Sequence, residues 1–310
     1  YFDHPDLMET VKAIYTLFEN SKNYDRTSCS EILVIADELS TMYCTPQAPI
    51  LGQNLYDPPY RLIKCGAPYD SIYLNDLALL DTAPYKLIIM LNTFHISDYQ
   101  QQLIQKKLKN ANKTVFWVYA PGIFNFNATD PVRIKEFTGM EISGFDGKEL
   151  VVPKIELLNN TNTFVDEVIN AGLRQIGPDS KSCFAFYVND KSAKSLGRYP
   201  ASDKTALAFK NMGNWNSVYS VTASLPSNFY RALARFAGVH IYNEKNDTLY
   251  ISRSYLTINA DGAGTRVISL PQSADVYDAI TENVIKRNVK KFELTLKDKE
   301  TKILRMETIK

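Results

Sequence analysis

The sequence predicts an α/β fold in two parts, a three-layer domain around a parallel sheet and then a small antiparallel β domain. Three observations predict it. Apolar runs bounded by charges alternate with segments of helical periodicity, the pattern of strands covered on both faces and their crossover helices. After about His240 the helical pattern stops and only β-like runs follow, as in two stacked antiparallel sheets. The chain has 310 residues, 45% hydrophobic and 22% charged, which is enough for two soluble globular cores. The expected boundaries are 1–24 for a connector helix, 25–245 for the α/β domain and 246–310 for the β domain.

The first element reads as a helix. Pro5 suits a first turn, and Leu7, Met8, Val11, Ile14, Tyr15 and Phe18 share one face. The polar stretch "NSKNYDRTSCS" follows, so the helix is expected to connect to a preceding domain. The opening "YFDHPDL", without methionine, reads like a segment cut from something longer. "EILVIADE" is a buried strand, "YRLIKCG" a helix stopped by Gly66, "YDSIYLND" a shorter alternating strand and "YKLIIMLN" another buried one. "SDYQQQLIQKKLKN" carries a capping box, with Ser97 as cap and Gln100 three residues on. "TVFWVYAPG" is one more buried strand, and "TDPVRIKEFTG" a helix opened by Pro131.

From about Lys148 the strands come with short connections: "ELVVPKIEL", "CFAFYVND", "TALAFKN" and "NSVYSVTA". One helix, "LPSNFYRALARFAGV", is expected to be capped by Ser224, opened by Pro226 and ended by Gly238. The tail is β throughout: "DTLYISRSYLTINA", "TRVISLP", "ADVYDAI", "KFELTLKD", "TKILRME".

Charge narrows the function classes. Thirty-five basic residues against thirty-four acidic ones give a net charge of +1, with no basic block, so nucleic acid is not an expected partner. No apolar stretch approaches the ~20 residues that span a membrane. Four cysteines (Cys29, Cys44, Cys65, Cys183) form no C-x-x-C pair and only three histidines accompany them, so no metal site is expected. Nothing calls for a cofactor: "GAGT" near Gly262 sits between β runs, not between strand and helix. The N-x-[ST] triplets at Asn112, Asn127, Asn159 and Asn246 carry little weight. The chain reads as soluble, and a bacterial periplasmic or extracellular location stays open.

Ligands of open α/β sheets bind beyond the carboxyl ends of the strands. The residues expected on that rim are Asp37 and Glu38 after the first strand, His95 after "LIIMLNTF", and Tyr119, Pro121 and Gly122 in the "YAPG" turn. A hydrolase would place a Ser or Cys nucleophile on such a turn. This turn has neither, and Pro121 removes a backbone donor from any oxyanion hole. Asp37 and Glu38 are neighbours without a second spaced carboxylate, and read as helix caps or solvated loop residues more readily than as a glycosidase pair.

Taken in order, "DRTSCSEILVIADELSTMY", "CGAPYDSIYLNDL", "YKLIIMLNTFHISDYQQQLI", "KTVFWVYAPGI", "LGRYP", "NWNSVYSVTASLPSNFYRALARFAGVHIY", "TLYISRSYLTINA" and "ISLP" resemble a region behind the catalytic barrel of large bacterial glycoside hydrolases. The region is similar to the trimerisation domain of family 42 β-galactosidases, a flavodoxin-like, class I glutamine amidotransferase-like domain without its triad, with a small β domain after it. The resemblance implies a non-catalytic role, since the family's glutamates lie on a barrel that these residues do not include. It also implies an N-terminal barrel and copies of the same chain as partners. Two other readings stand beside it. One is a carbohydrate-binding module using Tyr119, Phe124, Trp215 or Tyr242, with Trp117 in the core. The other is an active hydrolase or amidotransferase using His95 and rim carboxylates.

Overall fold

The computed structural model describes residues 3–125, 128–145, 150–181 and 184–309. Cys183, Asn127, Lys148 and Glu149 therefore lie outside the described residues. The chain is mixed α/β with one large sheet and a second, antiparallel one. It divides into two compact units: residues 31–65 with 69–239, and residues up to Ser30 with Gly66–Pro68 and everything from His240 on.

In the larger unit, five parallel strands lie side by side in the order Tyr69–Tyr73, Ile32–Ala36, Leu87–Met90, Thr114–Val118 and Asn216–Ser220. The three middle strands are inaccessible to solvent over nearly their whole length, as their unbroken apolar runs require. Tyr69–Tyr73, on the edge, is only half buried, which explains its weaker apolar pattern. Beyond Asn216–Ser220 the sheet continues antiparallel through Thr205–Asn211, Lys194–Arg198, Ile155–Leu157 and Gln175–Ile176. Phe186–Val188 and Ile142–Gly144 branch from it, making eleven strands among the described residues.

The helix Asp98–Lys107 has its capping box, Ser97 Oγ receiving the Gln100 N–H and the Gln100 side chain receiving the Ser97 N–H. Val132–Thr138 closes on Gly139 in the left-handed conformation, φ 70°. Ser227–Phe236 is not capped by Ser224. Pro226 stands at its N-cap, and the Ser224 hydroxyl donates instead to Asp57 Oδ2 at 2.9 Å. The helix expected at "YRLIKCG" begins earlier and stops at Leu62: Pro49–Leu51, a π-turn Gly52–Tyr56 and Asp57–Leu62 run on continuously. The π-turn buries Asn54, whose Oδ1 accepts from Thr222 Oγ1 and the Ala223 N–H. A tertiary bond of that kind leaves no periodicity to read.

Every regular element from Thr248 onward is a strand. Five strands form a single hydrogen-bonded sheet, in the order Thr248–Ile251, Tyr255–Asn259, Thr301–Thr308, Gly264–Asp278, Val284–Leu296. The runs "TRVISLP" and "ADVYDAI" are one strand with a register break between Ser269 and Ala274. Its even-numbered residues Ile268, Leu270, Ala274 and Val276 are buried together with Leu256, Ile258, Phe292 and Leu304. One face thus supplies one core, and in place of the two stacked sheets expected here the strands form one sheet. Beside that core Arg266 forks onto Asp247, Nε to Oδ2 at 2.9 Å and Nη2 to Oδ1 at 2.7 Å.

The helix Pro5–Ser21 forms where expected, but its only buried residue is Ser21. Leu7, Met8, Val11, Ile14, Tyr15 and Phe18 are 42% to 64% exposed. No described helix is long and apolar enough to cross a membrane.

Candidate functional site at the strand ends

Asp37 follows the first parallel strand and caps the short helix Glu38–Thr41. Its Oδ2 accepts from the Ser40 N–H at 2.7 Å and from the Ser40 hydroxyl at 2.6 Å. Ser40 Oγ in turn accepts the backbone N–H of His95 at 2.9 Å. Asn92 ties the same corner, with its amide donating to the Asp37 carbonyl at 3.1 Å. Asp37 is 1% exposed, and its Oδ1 has no hydrogen-bond partner among the described residues. Glu38, its neighbour, faces solvent. The two carboxylates are therefore in opposite environments and do not flank a common site.

His95 is buried, and joins the corner through its backbone. Its ring lies parallel to Tyr43, centroids 6.1 Å apart, and Tyr43 stacks on Phe124 at 4.5 Å. With Leu39 and Met42, the rings of Tyr43 and His95 line a pocket of about 250 Å³. The Ser40 hydroxyl is inaccessible: its proton goes to Asp37, and its lone pair takes a main-chain N–H. This is a strap between two strand ends and not a nucleophile–base pair, which needs an imidazole nitrogen on the hydroxyl.

The fourth strand ends in the turn flagged by the sequence. Tyr119 has φ 62°, a left-handed conformation rarely taken by a bulky residue. Its N–H bonds to the Ser220 carbonyl at 2.8 Å, and its own carbonyl accepts the Tyr219 hydroxyl at 2.6 Å. A nucleophile elbow has this geometry, a strained residue directly after a strand. Here the phenol ring is turned inward, edge-on to Phe94 at 5.7 Å and to Phe186 at 5.1 Å. Ala120, Pro121 and Gly122 are buried. The Gly122 N–H reaches the Thr93 carbonyl at 2.8 Å, and a Cβ on Gly122 would stand 2.0 Å from the Phe137 ring. No helix follows; the chain enters the short strand Phe124–Asn125.

The six rim residues thus fall into two clusters at one end of the sheet: a capped corner of Asp37 and His95, with Glu38 outside it, and a closed turn of Tyr119, Pro121 and Gly122. Of the aromatics considered for sugar stacking, Tyr119, Trp215 and Tyr242 are all buried. Sequence reading missed Ser40, although Asp37-x-x-Ser40 has the spacing of a helix cap with its third-residue partner. No group of three potential metal ligands occurs among the described residues.

No protein-family model matches the chain, and no curated protein matches it. Solved structures do. The fold is that of a region within large glycoside hydrolases, and the enzymes concerned are β-galactosidases. A catalytic mutant of Gan42B, a GH42 β-galactosidase from G. stearothermophilus, superposes with a TM-score of 0.67 at 14% identity, over 99% of this chain and 44% of that one. The β-galactosidase from Bacillus circulans sp. alkalophilus gives 0.62 at 16% identity over 90% and 42%. The cold-adapted β-galactosidase from Rahnella sp. R3 gives 0.62 at 16% identity over 92% and 42%. The chain shares its fold with these proteins and spans less than half their length.

Proposed function

We propose that this chain is a non-catalytic, C-terminal portion of a glycoside hydrolase of the family 42 β-galactosidase kind, supporting oligomerisation and a catalytic barrel on the N-terminal side. In this reading the larger unit is a flavodoxin-like, three-layer domain resembling class I glutamine amidotransferases. The order of its parallel strands, second–first–third–fourth–fifth, supports that detail. The helix Pro5–Ser21 is the connector, and its uncovered apolar stripe is what a barrel or a second copy would bury.

The observation that carries the non-catalytic reading is the elbow. Its backbone has the strained form that presents a nucleophile, and the residue there is Tyr119, packed inward between Phe94 and Phe186. Glutamine hydrolysis needs an activated thiolate at such a position. Retaining glycosidases need two carboxyl groups about 5 Å apart across the bond, whereas Asp37, buried at this rim, is held as a helix cap. The test is an assay of the purified chain with aryl galactosides, other aryl glycosides and glutamine. No turnover is expected. Turnover that survives purification and vanishes in His95→Ala or Asp37→Asn would overturn the reading.

A further inference from the structure

The smaller unit holds a cleft of about 610 Å³ that the reading above does not use. It opens where the long strand Gly264–Asp278 changes register. The break is fixed at both ends: the Ser269 N–H bonds to the Tyr242 carbonyl at 2.9 Å, and the Ile309 N–H to the Ser273 carbonyl at 3.2 Å. Between them residues 270–272 face the cleft, with Pro271 at a position that needs no ladder donor. Bulges are a recurrent means of aiming side chains at a ligand.

The lining has two chemistries. Leu270, Ala274 and Met306 form an apolar floor, all buried. Tyr24 and Tyr242 stand beside it. The mouth is polar and mixed in sign. Arg253 Nε lies 3.7 Å from Asp25 Oδ2, and both side chains are more than half exposed. The terminal nitrogens of Arg253 and the amide of Gln272 make no hydrogen bond to described residues. Glu307 also stands at the mouth, half exposed, with Arg305 and the Tyr277 hydroxyl on its oxygens.

We infer that this cleft binds a neutral mono- or disaccharide. An apolar floor fits the C–H face of a sugar ring. A rim offering guanidinium donors, a carboxylate acceptor and an amide that is both fits hydroxyls, which donate and accept alike. The opposed charges of Arg253 and Asp25 give no field that would select an anion. The volume lies within the ~300–1,000 Å³ of small-ligand sites. The inference stands apart from the catalytic and assembly reading, since binding here requires neither turnover nor an oligomer.

The experiment is a titration of the ¹⁵N-labelled chain with glucose, galactose and lactose, with glucuronate and inorganic phosphate as controls. Saturable amide shifts confined to residues 24–29, 252–254 and 272–274 are expected with at least one neutral sugar. Gln272→Ala and Arg253→Ala change exposed side chains and should keep the wild-type Tm, while each weakens binding by about tenfold, the loss of one or two hydrogen bonds. Absence of saturation with all three sugars would overturn the inference. So would shifts that map to the Tyr43–His95 pocket, tighter binding of glucuronate or phosphate, or variants that bind like the parent.

Discussion

Ser40 shows how a single buried hydroxyl can decide what a rim residue is able to do. It gives its proton to Asp37 and takes one from the His95 main chain, holding a buried carboxylate that has only one other donor on that oxygen. Ser40→Ala is expected to cost about 1–3 kcal/mol in urea unfolding, the penalty for stripping a partner from a buried acceptor. Lys109 is a second such residue. Its Nζ donates to the Glu136 carbonyl at 2.9 Å and lies between the Trp117 and Trp215 rings, at 5.7 and 5.3 Å. Burial pushes its amine down to about 8, against the pull of the Glu136 carboxylate. Between that value and the ordinary 10.5 the unfolded chain binds the proton that the folded chain has lost, so stability rises with pH across this window. Comparing Lys109→Met with the parent from pH 7.5 to 10.5 should show a flatter profile in the variant, by up to ~3 kcal/mol over the window. Neither residue stood out in the sequence. Asp37 was legible as a rim carboxylate and as a possible cap, but its partner Ser40 lies three residues on in a four-residue helix too short to show a period. Lys109 reads as a surface lysine at the end of "QKKLKN", because one of the two indoles around it, Trp215, lies far along the chain in the turn before the strand Asn216–Ser220.

At the level of elements, what could be read followed from burial on both faces. The inner parallel strands and the capping box of Asp98–Lys107 need only local sequence to be specified, and they were visible in it. The helical run over residues 49–62 was read late because Pro58 and Pro59 interrupt its pattern, and because a bond from Asn54 to residues over 160 positions away shapes it. The two β runs around Pro271 read as separate strands, since proline ordinarily ends a ladder; a bulge joins them instead. Gly122→Ala forces a Cβ into the Phe137 ring at φ 70°, and should lower stability by about 2 kcal/mol or more in denaturant unfolding. Arg266→Met leaves the Asp247 carboxylate buried without its fork, at a cost of about 3–5 kcal/mol, and replacing Asp247 by Leu as well should restore much of it. Burial raises the Asp247 pKa, but Arg266, the Asp261 N–H and Asn243 together outweigh burial and hold it below the usual carboxylate value. The stability this confers is present above the unfolded-state pKa and is lost as pH falls through the lower folded-state one. Arg266→Met should therefore be less acid-dependent than the parent.

For the whole molecule, the stripe on helix Pro5–Ser21 is the feature most open to test. Six large apolar side chains in water gain nothing for an isolated helix. If they are an assembly surface, sedimentation velocity should show concentration-dependent association. Ile14→Glu with Phe18→Glu should abolish it at unchanged Tm. A specific contact buries about 1,200–2,000 Å² in all, so a monomer at every concentration would count against self-association through that stripe. The sequence placed the stripe on the helix correctly, since periodicity reports which residues share a face. It could not say whether that face is covered, because covering depends on atoms outside the helix.

The smaller unit draws on both ends of the chain. Asp25 and Thr27 give their carbonyls to the N–H groups of Ser254 and Arg253, and Ser254 in turn receives the N–H of Met306 at its carbonyl. During synthesis, at ~5–20 residues per second, the opening thirty residues emerge long before the strands that hold them. The larger unit, contiguous apart from Gly66–Pro68, can close in that interval. That segment, made before the larger unit, is then secured after it, and a nascent chain arrested near residue 245 should be cut by protease around residues 22–30, where the finished protein resists.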